Sequence, residues 1–479
     1  MKLTQTACYE ALRARDARFD GVFYTGVKTT GIYCRPVCPA RTPRTDSCVF
    51  FGTAAAAETA GFRACLRCHP ELAPGRLGTS LAEAVLRRLQ EAAVEGTRVA
   101  DLERELGLGA RQVRRLLQDE FGINAVQAMQ TQRLLLARQL LEQTAQPISE
   151  VALAAGFRSL RRFNALFKER HGANPTDWRR TKQPAGETGE IHLRLSYRPP
   201  LAWEALMDYF RCRLVPGVEE IVGAEYRRTV RLGNAVGWLR VWPEGGQAVL
   251  NVAVAPSLSR VLGAVQTRLR RMFDLDAQPT VIAEVLGSDP LLAPVVRRFP
   301  GLRVGGAWDA FELAVRAVLG QQITVAAATT LSARLTASLG ESVETPFENL
   351  HHLAVTPKAL AGASVDELCR LGLVGARAAA LRHLAAWALE GGLNFPPGTD
   401  HEAAVERLVQ LPGIGPWTAH YIAMRALRYP DAFPAADLGL RKAVGAGELA
   451  SARETERRSE AWKPWRAYAA IALWKSLSP

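Results

Sequence analysis

Apolar residues recur at helical spacing through residues 80–182. Residues 99–106, a turn at Gly107 to Gly109 and a second helix over 110–121 make one helix-turn-helix pattern. Residues 148–155, a turn at Gly156 and a helix over 159–171 make another. A long helix, roughly Val126 to Gln143, is predicted between them. In the last helix Leu160, Phe163, Leu166 and Phe167 form one apolar stripe, and Arg158, Arg161, Arg162 and Asn164 face away from it. The period then changes to two. Strands are predicted at 192–197, 229–232, 236–242 and 249–254, interleaved with helices at about 202–212 and 257–273, which gives a small α+β unit. From about 276 onward the pattern is nearly all helix. Two breaker-rich stretches, 73–79 and 183–190, read as linkers.

At 479 residues the chain needs several cores. With 48% apolar and 22% charged residues it is globular, which excludes a disordered chain. No apolar run reaches spanning length, and residues 1–20 lack the apolar stretch of a signal peptide. A cytoplasmic, nucleoid-associated monomer without membrane contact is expected. The net charge of +13 is uneven. Residues 1–79 hold 11 Lys/Arg against 6 Asp/Glu, residues 80–182 hold 17 against 12, and the remaining 297 hold 32 against 29. The excess falls on the first 182 residues, as it does in a segment that meets a polyanion.

The cysteines change the picture most. Cys34-x3-Cys38 and Cys65-x2-Cys68 are separated by 26 residues, a spacing that closes a tetrahedral zinc site. Arginines flank both pairs and suggest a surface that meets phosphate. Cys8, Cys48, Cys212 and Cys369 have no partner at metal spacing and read as buried thiols. An exposed face of Arg and Asn on a second helix suits the major groove. Candidate DNA contacts are Arg158, Arg161 and Arg162 in the second motif, and Arg111 and Arg114 in the first.

The tandem motif, followed by His171-Gly-Ala-Asn-Pro-Thr-Asp-Trp178, resembles the AraC-type transcriptional regulators. Together with Gly31-Ile-Tyr-Cys34-Arg-Pro-Val-Cys38-Pro-Ala-Arg41 and Gly61-Phe-Arg-Ala-Cys65-Leu-Arg-Cys68, it resembles the N-terminal half of the Ada family across residues 1–182. The resemblance implies that Cys34 irreversibly takes a methyl group from a DNA phosphotriester. Four thiolates around Zn²⁺ carry a net charge of −2. Methylation of Cys34 lowers it to −1, weakens repulsion of phosphate and strengthens DNA binding. The Pro-Cys-His-Arg motif of Ada's second methyl acceptor does not occur in this sequence, so no O6-methylguanine repair is expected.

Further on, Leu411-Pro-Gly-Ile-Gly-Pro-Trp-Thr-Ala-His-Tyr421 reads as a helix-hairpin-helix whose Gly413 and Gly415 let backbone N–H groups face phosphate. Its carbonyls can also hold a monovalent cation. Phe433-Pro-Ala-Ala-Asp437 follows, with Asp437 lying 20 residues after Trp417. Taken alone, Asp437 reads as a helix N-cap ahead of Leu438-Gly-Leu-Arg. The pairing resembles the AlkA family of alkylated-base DNA glycosylases over about residues 190–479, including Arg316-Ala-Val-Leu-Gly-Gln-Gln-Ile-Thr324 and Trp462-Lys-Pro-Trp-Arg-Ala-Tyr-Ala469. The resemblance implies that Asp437 is the catalytic carboxylate, that Trp417, Tyr421 and Trp474 line the pocket for a flipped base, and that Gln322 stands where the family has a leucine wedge. The Schiff-base lysine of bifunctional relatives would fall near Trp417. Its absence predicts glycosylase activity without strand cleavage.

The fold expected is multidomain and mainly α. It comprises a four-cysteine zinc domain at 1–75, an AraC-type double helix-turn-helix domain at 80–182, a TBP-like α+β domain at 190–275 and a helix-hairpin-helix glycosylase domain at 276–479. The function expected is an alkylation sensor and transcriptional activator, acting with RNA polymerase, fused to a monofunctional glycosylase for bases such as 3-methyladenine. The rival reading is a regulator whose C-terminal half only binds double-stranded DNA.

Overall fold

The computed structural model describes residues 3–75, 80–180, 189–395, 399–445 and 448–477. Residues 76–79 and 183–188, which hold most of the two expected linkers, lie outside them.

The first unit is a small α/β knot. Helix α1 (Gln5–Ala14), capped by the Thr4 side chain, precedes strands β1 (Tyr24–Val27), β2 (Ile32–Cys34) and β3 (Cys48–Phe51), helix α2 (Ala54–Thr59) and the short β4 (Arg63–Ala64). The sheet order is β3-β1-β2-β4, and only the β2–β4 pair is parallel. That pairing brings the end of β2 beside the end of β4, and each end delivers a cysteine pair. The Cys65 N–H donates to the Tyr33 carbonyl (3.0 Å) and fixes the register.

Seven helices follow: α3 (Leu81–Val94), α4 (Val99–Leu106), α5 (Ala110–Phe121), α6 (Ala125–Gln143), α7 (Ile148–Ala154), α8 (Leu160–His171) and α9 (Pro175–Arg180). Both helix-turn-helix patterns and the long linking helix sit where periodicity puts them. Helix α6 is wrapped on all sides, and even Thr131, Arg138 and Gln139 are buried. It is the axle of the front half. In α8, Phe163 and Phe167 are buried and Leu166 is half-buried, but Leu160 is 44% exposed. It occupies the first helical position, before the apolar face turns inward, so the stripe is shorter than its sequence spacing implies.

The third unit is an antiparallel sheet of order β5-β9-β8-β7-β6, formed by β5 (Ile191–Ser196), β6 (Glu219–Val222), β7 (Glu225–Leu232), β8 (Ala235–Pro243) and β9 (Val249–Val254). Helices α10 (Trp203–Arg211) and α11 (Leu262–Met272) cover it. The edge strand β6 escapes sequence patterning because Glu219-Glu-Ile-Val222 does not alternate. One apolar cluster runs from Leu134, Leu140 and Phe163 into this sheet and on to Phe210 and Phe273.

The remainder is helical: α12 (Pro279–Leu286), α13 (Ala293–Arg298), α14 (Ala310–Leu319), α15 (Val325–Leu339), α16 (Pro357–Gly362), α17 (Val365–Arg370), α18 (Gly375–Leu389), α19 (His401–Val409), α20 (Pro416–Arg425), α21 (Leu438–Val444), α22 (Ala452–Ser459) and α23 (Arg466–Ser476). They share a core centred on Val318, Leu381, Ile422, Phe433 and Trp462. Among the described residues no helix is long and apolar enough to cross a membrane.

The stretch read as the first linker is partly pinned. The Arg198 guanidinium, 1% exposed, donates to the carbonyls of Asp20 (2.8 Å) and Gly75 (2.6 Å), and the Gly75 N–H donates to Asp276 (2.7 Å). A cavity of about 170 Å³ lies where these three units meet.

Candidate functional sites: a four-sulfur centre and an aromatic pocket

The sulfurs of Cys34, Cys38, Cys65 and Cys68 all lie within 4.8 Å of one another. Tetrahedral zinc at about 2.3 Å from each sulfur would hold them roughly 3.8 Å apart, so the donor set fits Zn²⁺. The backbone N–H groups of Arg35 and Arg67 point at Cys68 Sγ (3.3 Å) and Cys65 Sγ (3.4 Å), the kind of support that orients thiolate ligands. A hydrogen bond with Cys34 pulls Cys38 down to about 7, while those with Cys38 and Cys65 push Cys34 up. Crowded sulfurs therefore share protons until a cation takes their place. Cys38, Cys65 and Cys68 are buried, whereas Cys34 is partly exposed.

The arginines around this centre divide. Arg41, Arg63 and Arg67 are exposed, as a phosphate-facing surface requires. Arg35 does not face phosphate. It is buried, forms a short ion pair with Asp20 and donates to the Cys68 carbonyl (3.0 Å). Its role is to brace the loop. The four remaining cysteines are not uniformly buried either: Cys8 is, Cys48 and Cys369 are half-buried, and Cys212 is exposed.

A second cluster, His69, Glu71 and Glu142, also has metal-like spacing. Here Arg138, completely buried, lies 3.3 Å from Glu71 and 3.4 Å from Glu142, and His69 lies 2.8 Å from Glu71 and 3.0 Å from Glu142. Hydrogen bonds to Glu142 and Glu71 push His69 up to about 9. Two cations thus balance two carboxylates, although Glu71 Oε2 and Arg138 Nη1 are buried without a hydrogen-bond partner. Arg138 also donates to the Cys65 carbonyl (2.7 Å), so the network ties the cysteine loop to α6.

All five candidate DNA-contacting arginines, Arg111, Arg114, Arg158, Arg161 and Arg162, are exposed. The α8 N-terminus is capped by Ser159, whose hydroxyl accepts from the Arg162 N–H (3.3 Å).

In the C-terminal half α19 and α20 form the hairpin. Gly413 has φ +83°, and a Cβ there would come within 2.4 Å of Ala380 Cβ, so only glycine fits. Gly415 has ordinary φ and open space, and it serves as the N-cap ahead of Pro416. Gln321 binds the hairpin to the α14–α15 loop: its amide donates to the Gly413 carbonyl and to Thr418 Oγ1, both at 2.9 Å. Gln322, next in sequence, is exposed with φ +56°, presented at the loop tip.

Beside the hairpin, Asp437 is held by three N–H groups. Trp417 Nε1 donates to Oδ2 (2.9 Å), Trp474 Nε1 to Oδ1 (2.8 Å), and the Leu440 backbone to Oδ1 (3.0 Å). Asp437 is thus the N-cap of α21 and also the centre of an aromatic cluster. Trp417 and Tyr421 stack at 5.3 Å and 18°, and Tyr421 and Trp474 lie 6.4 Å apart. The structure brings Trp417, Tyr421, Trp474 and Asp437 together. It adds Tyr209, Arg213 and Arg425, to which the sequence motifs do not point. For Arg425 a signal exists: residues 417, 421 and 425 share one face of α20. Tyr209 and Arg213 arrive from α10 and the turn after it, about 200 residues away in the chain, and no local pattern announces them.

Hairpin, capped carboxylate and aromatic cluster, joined to a four-cysteine zinc centre and tandem helix-turn-helix motifs, define a helix-hairpin-helix DNA glycosylase fused to a DNA-binding regulatory half. Family comparisons agree. Residues 7–71 match the metal binding domain of Ada, 102–181 a helix-turn-helix domain, 192–309 the AlkA N-terminal domain, and 315–467 the HhH-GPD superfamily of base excision DNA repair proteins. The chain is 40% identical to a probable bifunctional transcriptional activator/DNA repair enzyme AlkA of Mycobacterium tuberculosis, over 98% of this chain and 96% of that one. It belongs to that family. Over 58% of its length it is 34% identical to DNA-3-methyladenine glycosylase 2 of Escherichia coli K12, covering 95% of that protein. The solved 3-methyladenine DNA-glycosylase of Archaeoglobus fulgidus superposes with a TM-score of 0.52 at 26% identity, over 59% of this chain and 97% of that one.

Proposed function

We propose that this protein senses DNA alkylation at Cys34, activates transcription through its helix-turn-helix motifs, and excises alkylated bases such as 3-methyladenine at Asp437. The observation that carries the reading is the three-point hold on Asp437 inside an aromatic cluster beside the α19–α20 hairpin.

In the glycosylase half, the hairpin amides around Gly413 and Gly415 grip backbone phosphate, with a monovalent cation on the hairpin carbonyls as part of the same reading. Gln322 fills the gap left by the flipped nucleotide. Trp417, Tyr421 and Trp474 offer electron-rich faces to a base made cationic by ring alkylation. As the N-glycosidic bond breaks, its electron pair leaves with the base and positive charge grows on the sugar. Asp437, already oriented by its N–H partners, stabilises that charge and the water that attacks C1′. With tryptophan at position 417 and no lysine there, the strand is left intact.

In the sensor half, Cys34, Cys38, Cys65 and Cys68 would hold Zn²⁺, whose charge would keep all four sulfurs deprotonated at neutral pH. The Cys34 thiolate attacks the methyl carbon of a phosphotriester. A C–S bond forms, the C–O bond breaks, and the electron pair stays with the phosphodiester oxygen. The site loses one negative charge, and the exposed Arg158, Arg161, Arg162, Arg111 and Arg114 meet DNA phosphate and bases with less repulsion. RNA polymerase is the partner the activator role calls for. The domain limits read from the sequence (1–75, 80–182, 190–275 and 276–479) divide these tasks, and a monomer suffices for them.

The decisive experiment measures release of 3-methyladenine from methylated duplex DNA by wild type and Asp437→Asn at equal zinc content. A loss of several hundredfold, the size of a preorganised charge effect, is expected. No release by folded wild type would leave a DNA-binding regulator as the better account.

A further inference from the structure

Two arginines, Arg425 buried and Arg213 half-buried, stand beside the Asp437 aromatic cluster without a carboxylate partner. Arg425 is 3% exposed, and its guanidinium lies 3.9 Å from the Tyr209 ring centre, 5.2 Å from Tyr421 and 5.6 Å from Trp474. It donates to the Gly305 carbonyl at 2.6 Å, and its Nε is buried without a hydrogen-bond partner. Arg213 lies 4.4 Å from the Tyr209 ring centre and donates to the Tyr209 carbonyl (3.1 Å). Among the described residues neither forms an ion pair with Asp or Glu within 4.0 Å. A buried guanidinium without an anion is costly, and aromatic faces offset only part of that cost. Among the groups here able to become anions are two phenols, Tyr209 and Tyr421, whose oxygens lie 3.4 Å apart.

We propose that Tyr421 determines the specificity of this pocket through its own charge: held against Tyr209 between Arg213 and Arg425, it ionises in place and favours cationic lesion bases over neutral ones. The proposal rests on the glycosylase reading above and adds to it the class of base preferred and its pH dependence.

The surroundings set the sign. On α20, Arg425 faces Tyr421. From α10 and the turn after it come Tyr209, Arg213 and Cys212, with Asp208 turned away to Arg211 and Lys475. From α14 comes Arg316, whose guanidinium is held by Ser332 and Thr329. Glu219 on β6 is more remote and occupied by Tyr226 and the Val215 N–H. From α21 and α23 come Asp437 and Trp474, bound to each other. Cations outnumber anions on this wall. Burial opposes ionisation of Tyr421, but Arg425, Arg213 and the Tyr209 hydroxyl overcome it and bring the phenol down to about 8. Burial pushes Tyr209 up, and its hydroxyl, 3.4 Å away, can donate to an ionised Tyr421 oxygen.

Below that pH the wall is positive and repels a base that carries a fixed charge. Above it, one negative charge stands at the pocket edge and one guanidinium is neutralised. A base cationic through ring alkylation gains from the change, and a neutral adduct does not. Tyr421 ring stacking serves both alike.

The test is single-turnover release of 3-methyladenine, whose nucleoside is cationic, and of 1,N6-ethenoadenine, whose nucleoside is neutral, from matched duplexes across neutral to alkaline pH. The ratio of the two rates is expected to rise about tenfold through the Tyr421 ionisation, the scale of one nearby charge in a partly desolvated site. In Tyr421→Phe the ratio is expected to stay flat, and the tyrosinate ultraviolet signal at mildly alkaline pH to be lost. Arg213→Gln is expected to move the midpoint of the rise to higher pH, and Arg213→Lys to restore it; a residue that only supports packing would not move it. Release of both bases by wild type with a flat ratio overturns this proposal and leaves the glycosylase intact. A pH-dependent ratio that persists in Tyr421→Phe overturns it as well. Failure of wild type to release either base brings down the glycosylase reading and this proposal with it.

Discussion

The indole N–H of Trp417 donates to Asp437 Oδ2 at 2.9 Å across 20 residues of chain, from the first turn of one helix to the N-cap of the next. Trp474 makes the matching bond to Oδ1 at 2.8 Å from the last helix. The two tryptophans therefore orient the carboxylate as well as packing around it.

If that is so, Trp417→Phe and Trp474→Phe, which keep a ring and delete one N–H each, lower the single-turnover rate of base release by about tenfold apiece, the scale of one hydrogen bond to a charged group. Substrate affinity changes less. Rates within twofold of wild type in both variants would reduce the tryptophans to wall residues.

Zinc removal separates the halves. A chelator strong enough to strip four thiolates is expected to unfold the sheet that carries Cys34 and Cys65, since structural zinc contributes on the order of 10 kcal/mol in small domains. Base release, carried by another core, continues. Cys65→Ser is expected to lose bound zinc, measured by metal stoichiometry. Zinc-free protein with an unchanged first melting transition would contradict the role assigned to the metal.

Arg158, Arg161 and Arg162 are exposed around the start of α8. Changing to alanine one that meets phosphate is expected to weaken binding to all sequences and to reduce the salt slope by about one. Changing one that reads a base costs about 1–3 kcal/mol at one position of the site. Binding isotherms over a salt series tell the two apart, and unchanged isotherms for all three would remove α8 from the interface.

Gln321 fastens the loop that presents Gln322 to the hairpin. Gln321→Ala frees that loop, and base release from a fully paired duplex is expected to fall more than release from a lesion opposite a mismatch, where less unstacking is needed. Equal losses on both substrates would assign Gln321 to general stability.

How much of this is legible in sequence depends on the range of the contacts. The helix-turn-helix helices follow local periodicity and end where it says, with αL glycines at positions 107, 122 and 172. The cysteine quartet is legible because its spacing is the chemistry. Arg35 misleads, because the same guanidinium that could meet phosphate finds Asp20 fifteen residues upstream. Leu160 misleads because periodicity does not say where a helix begins to turn inward. The arginine–tyrosine wall is invisible. Tyr209 and Tyr421 are 212 residues apart, and only the packing of α10 against α20 joins them.

Arg138 lies wholly inside the protein, with its guanidinium on the Cys65 carbonyl and its stem in the helix that links the two DNA-reading motifs. A change at the cysteines would thus reach that helix without any hinge having to swing. The four-sulfur centre is held at a fixed offset from α6, like a magnet glued to a compass card. The two units are bolted together by side chains, Arg138 on the Cys65 carbonyl and Thr131 on Glu58, and not only by the peptide that joins them in sequence.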